Sequence, residues 1–103
     1  MNDEPDSTDR SPATWDLLDG ENPNSDLGDD AEHWVTVYSE LAQSTRRMLH
    51  AAEARIEARR SEAGSNPEVD HRELKYIGTR LSFFEERLRW WVTRGAELAK
   101  TGR

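Results

Sequence analysis

The sequence predicts an all-α fold: a long, coiled-coil-like antiparallel two-helix hairpin behind a disordered acidic N-terminal tail. Three observations predict it. Two stretches, about 30–63 and 67–100, repeat apolar residues at the three- and four-residue spacing of a helix face. Between them stands Gly64-Ser65-Asn66-Pro67, the clearest punctuation in the chain. Residues 1–29 are dominated by Asp, Glu, Asn, Ser, Pro and Gly and offer too little apolar surface to offset the entropy of ordering.

Composition sets the limits. A chain of 103 residues allows one small domain, and 34% hydrophobic with 34% charged residues favours helix over a β-rich core. The absence of cysteine excludes a disulfide scaffold, a thiolate zinc site and a cysteine nucleophile. The formal charge of −7 is unevenly spread. Residues 1–33 hold eleven acidic side chains and one arginine, a charge of −10; residues 34–103 hold ten acidic and thirteen basic side chains, a charge of +3. Basic residues other than Lys75 and Lys100 are arginine, the bias of a GC-rich bacterial genome. With no signal-like start and no apolar run long enough for a bilayer, the expected setting is cytoplasmic and off the membrane.

Within the tail, Trp15-Asp16-Leu17-Leu18-Asp19 interrupts the polar run, bracketed by Pro12 and Gly20. Trp15, Leu17 and Leu18, flanked by acids, read as a short docking motif. Helix 1 is expected to begin at Asp29 or Asp30, with Glu32 completing a box-like cap after Asp29. Its apolar face is Trp34, Val37, Tyr38, Leu41, Met48, Ala52 and Ile56. It thins into alanines that let a neighbouring helix come close. Gly64 suits the C′ position, Asn66 the next cap and Pro67 the first turn of helix 2, so a turn over 64–67 makes the helices antiparallel neighbours. Asp70 with Glu73 offers a second capping box.

Helix 2 carries a heptad seam: Leu74, Ile77, Leu81, Phe84, Leu88, Trp91, Gly95 and Leu98. A second stripe lies beside it, because Tyr76, Phe83 and Trp90 also recur every seven residues, about 100° round the helix. A two-helix hairpin buries only one stripe well. The surplus predicts a binding face of Tyr76, Phe83, Trp90 and Trp91, supported by Trp34 and Leu41. It is filled by a protein partner, by a second hairpin completing a four-helix bundle, or by both.

Catalysis has no foothold: GxxxxGK[ST], GxGxxG, GxSxG and HExxH are all missing. His33, His50 and His71 lack metal-ligand spacing, and no cofactor or metal is expected. Nucleic acid is disfavoured as a partner, since glutamates interleave Arg46, Arg47, Arg55, Arg59 and Arg60. An alternative rests on Ser44, Arg47, Arg80 and Arg87. A hairpin folded at residues 65–66 gathers them into one patch suited to a nucleotide phosphate. Glu40, Ser44 and Arg47 keep an E-x3-S-x2-R spacing that resembles anti-sigma factors binding cyclic di-GMP on a helical hairpin. The resemblance implies a second-messenger sensor. It covers three positions, and Ala51 and Arg55 stand where that family has Gln and Asp. The leading expectation is a non-enzymatic adaptor or regulator.

Overall fold

The computed structural model describes residues 15–102. Two helices make up its regular structure, α1 (Gly28–Arg59) and α2 (Pro67–Gly102), each on the order of 50 Å long. They run antiparallel, and the described residues form no strand. Residues 1–14 of the expected tail lie outside the described residues.

The two helix starts differ in how their free amides are met. At α2, Asn66 Oδ1 accepts the Val69 N–H at 3.2 Å, the capping role its position predicts. Asp70 and Glu73 serve a different purpose from the expected box. They accept hydrogen bonds from Arg59 and Arg55 across the hairpin. At α1 the helix begins ahead of Asp29, and its N-cap, Leu27, has no side-chain oxygen to offer. Ser25 takes over. Its hydroxyl accepts the Leu27 N–H at 3.2 Å and donates to Asp30 at 2.6 Å. Asp29 and Asp30 then lie in the first turn, where their charge favours the helix dipole.

α1 stops four residues earlier than expected. Beyond Arg59 the chain closes in tight turns, with Glu62 N–H donating to Arg59 O at 2.9 Å and Ser65 N–H to Glu62 O at 3.3 Å. Residues 60–69 are all exposed, so no packing sustains the helix there. Gly64 still supplies the positive φ of +92° that the reversal needs, but inside the connection rather than at the helix end.

The core lies at the open end of the hairpin. Ala31, Trp34, Tyr38 and Ala42 of α1 enclose Phe84 and Trp91 of α2. Trp91 and Tyr38 are wholly buried. Each such aromatic removes on the order of 150–250 Å² from water, at about 25 cal/mol per Å². The heptad seam of α2 is realised, with Ile77, Phe84 and Trp91 buried and Leu74, Leu81, Leu88 and Leu98 half-buried. On α1 the inward face is rotated slightly from the expected one. Ala42, Thr45 and Ala52 point inward, while Met48 is exposed and Leu49 half-buried. Ala31 and Ala42 are the small α1 residues packed in one cluster with the Phe84 and Trp91 rings of α2. Gly95 faces Ala31, where a Cβ would make ordinary contact at 3.5 Å from Ala31 Cβ. Toward the turn the helices are joined by ion pairs, Arg46–Glu85, Arg55–Glu73 and Arg59–Asp70. Such pairs at the surface are worth about 0–1 kcal/mol each and mainly fix register.

Candidate partner-binding surface

Seven-residue periodicity on a helix builds the surface. Tyr76, Arg80, Phe83, Arg87, Trp90 and Arg94 follow at alternating steps of four and three, so they form one row along α2, beside the buried seam. Within the row, rings and guanidinium groups alternate and touch. Arg80 lies 5.8 Å from the Tyr76 ring centre and 5.3 Å from that of Phe84. Arg87 lies 5.8 Å from Phe83 and 5.2 Å from Trp15. These cation–π contacts hold the arginine heads over apolar surface.

The row is covered unevenly, and the cover comes from the N-terminal segment. Residues 15–27, expected to be part of a free acidic tail, lie along the hairpin as an irregular strap. Trp15 meets Trp90 edge to face at 5.5 Å, and Leu18 packs against the core. The Ser25 carbonyl accepts a hydrogen bond from Arg94 at 3.1 Å. Two turns bend the strap into place. Glu21 N–H bonds to Leu18 O at 2.9 Å, with Gly20 at φ +86° in the position where a type II turn requires it. Ser25 N–H bonds to Asn22 O at 3.0 Å around Pro23.

The strap's anchor is Glu21, a buried carboxylate. One oxygen accepts the Tyr38 hydroxyl at 2.7 Å and the Leu18 N–H at 3.0 Å; the other accepts the Trp91 indole N–H at 2.8 Å. Three donors converge on one acid, which is how a buried charge becomes tolerable. The same arrangement acts on Tyr38. Burial, then the hydrogen bond and charge of Glu21, push its phenol well above the ordinary value of 10.0, with Arg87 working the other way. Sequence reasoning did not single out Glu21. Its signal was indirect: Tyr38 and Trp91 on the inner seam each need a polar partner when buried, and among the acids of the first thirty residues one follows the Asp19-Gly20 turn.

The expected site residues therefore divide. Tyr76 is 65% exposed and Phe83 44% exposed, while Trp90 is half-buried beneath Trp15. Trp91 and Trp34 are core residues, stacked at 6.5 Å between centroids, and Leu41 packs beside them. Trp91 and Trp34 are buried, Leu41 is half-buried, and Trp91 meets Trp90 of the outer row edge to face at 5.0 Å. In the docking motif Trp15 and Leu18 face the hairpin and Leu17 remains exposed at 45%. Of the phosphate patch, Arg80 and Arg87 are engaged with rings, Ser44 and Arg47 are exposed on α1, and Arg46 is the residue that reaches α2. Among the described residues no three metal-ligating side chains come together, and no helix is long and apolar enough to cross a membrane. No family model, no curated protein and no solved structure matches this chain.

Proposed function

We propose that the protein is a non-enzymatic interaction module, an adaptor or regulator that binds another protein through the outer row of α2. One observation carries the reading: Tyr76, Arg80 and Phe83 remain exposed on a row of alternating rings and arginines, while Arg87, Trp90 and Arg94 of that row are already contacted by a peptide segment. Tyrosine, tryptophan and arginine are the side chains on which binding energy concentrates. Their rigid rings bury much area at small entropic loss.

The partner differs from a second copy meeting this same row. Two rows face to face bring the Arg80 and Arg87 guanidinium groups together, a like-charge juxtaposition that opposes association. A homodimer has another surface to use. On the far side of Trp91, Val35, Val92, Gly95 and Leu98 line an open cleft of about 590 Å³ together with Asp26, Asp29 and Glu32, whose charges a second copy would have to keep apart, and Val92 is 51% exposed. Two hairpins joined there would make a four-helix bundle and leave the outer row free. Substituting Val92→Glu then yields a monomer by sedimentation without disturbing the row.

The test of the main reading is site-specific crosslinking. A photo-crosslinking amino acid at position 83 is expected to capture a protein in the native cell, and Arg80→Glu with Tyr76→Glu to abolish the capture. Capture that survives both substitutions, or none from position 83, contradicts the proposal.

A further inference from the structure

We infer that residues 15–25 are a self-ligand, and that the surface beneath them accepts an acidic linear segment of a partner protein by displacing them. The inference rests on the proposed binding role of α2 and specifies the partner's chemistry.

The strap is built to leave as a unit. Its own backbone hydrogen bonds are local, Glu21 to Leu18 and Ser25 to Asn22, so undocking breaks no helix bond. It is held by Trp15 on Trp90 and Arg87, Leu18 on the core, Glu21 on Tyr38 and Trp91, the Ser25 carbonyl on Arg94, and the Ser25 hydroxyl on Asp30 in the first turn of α1, whose bond from the Leu27 N–H is released with it. Asp16, Leu17, Asp19 and Gly20 between those points are exposed.

What remains when it leaves dictates what can replace it. The Trp91 indole and Tyr38 hydroxyl are then donors on an apolar floor, and an unsatisfied buried donor costs about 1–3 kcal/mol. A replacement must bring an acceptor to that point. Arg80, Arg87 and Arg94 along the row favour an acidic one. The distances between the strap's own anchors supply the rest of the pattern: an indole, an apolar side chain three residues on, and a carboxylate three residues after that. The open half of the row, Tyr76, Arg80 and Phe83, gives such a segment a first landing before exchange.

Fluorescence anisotropy tests this on the full chain with a labelled synthetic peptide copying residues 15–25. A second peptide has alanine in place of its Trp, second Leu and Glu. The intact chain holds its own strap, so it is expected to bind the copy weakly. The Glu21→Ala and Trp15→Ala chains, with the strap loosened, are expected to bind it at least about tenfold more tightly, since apparent affinity scales with the fraction of open surface. Adding Arg87→Glu should remove the gain, and the alanine peptide should not bind. Loosened chains that keep their helical circular dichroism yet bind the copy no better than the intact chain overturn the inference. So does dimerisation of the loosened chains without peptide, which would make a second copy the occupant. Should Glu21→Ala fail to fold, Trp15→Ala alone decides, because Trp15 lies outside the core. Peptide binding that fails while the position-83 crosslink persists overturns this inference and leaves the proposed function standing.

Discussion

At the scale of single residues, Glu21 does what no other acid of the strap does. It ties together a residue of α1, a residue of α2 and its own turn through three hydrogen bonds. A carboxylate with neutral donors at 2.7–3.0 Å needs no formal counter-ion in contact to be stable, provided every donor is aimed at it. Tyr38 registers this environment. Its phenol is raised above 10.0, so the folded state favours the protonated form. The stability this group contributes is complete below pH 10 and declines as pH rises beyond it, because an ionised phenolate would be buried away from water and would also face the Glu21 carboxylate. Denaturation measured across pH 9–12 is expected to show a loss of up to about 1.4 kcal/mol per pH unit above 10 that Tyr38→Phe removes. An unchanged slope in the Tyr38→Phe chain would show that the phenol does not titrate against Glu21.

At the scale of elements, α2 was legible because a heptad is a long signal: Ile77, Phe84 and Trp91 repeat one requirement three times and the structure buries all three. The cap at Asn66 was legible for a local reason, a side-chain oxygen three residues ahead of a free amide. The end of α1 was not. Ser61, Glu62 and Ala63 do not forbid a helix, and what ends it is the lack of anything to pack against. The inward face of α1 was missed at Met48 because hydrophobicity alone ranks methionine above Thr45, whereas the structure buries Thr45 and leaves Met48 54% exposed. The strap was hidden for a related reason. Its composition reads as unfolded, and its few anchors find their partners only once the hairpin exists to present them. Gly20 makes the strap's dependence on its turn testable. A β-branched side chain at φ +86° is strained by about 1–2 kcal/mol. Gly20→Val is therefore expected to release Trp15 from Trp90, seen as a shift in tryptophan emission, while helical content stays constant. A chain with unaltered emission would mean the turn is not what seats the strap.

At the scale of the whole molecule, charge and aromatic surface are both unevenly placed. Residues 1–33 carry a charge of −10 and residues 34–103 a charge of +3, and the strap meets Arg87 and Arg94 through the Trp15 ring and the Ser25 carbonyl. The helices alone leave a surplus of aromatic surface on α2. The chain covers the half nearest its open end with the Trp15 indole and the Ser25 carbonyl and leaves Tyr76 and Phe83 exposed. The candidate site was thus half legible. Periodicity exposed the outer row, and it also drew in Trp91, Trp34 and Leu41. Adjacency to the row does not distinguish a residue that supports it from one that faces outward. In the proposed function the covered surface is also the binding surface, which is why the strap's attachment matters most. The direct measurement is hydrogen exchange of the tryptophan indoles by NMR. The Trp91 indole N–H is expected to be protected in the intact chain and to lose that protection in the Glu21→Ala chain while the helices persist. A Trp91 indole that exchanges equally fast in both chains would contradict the account.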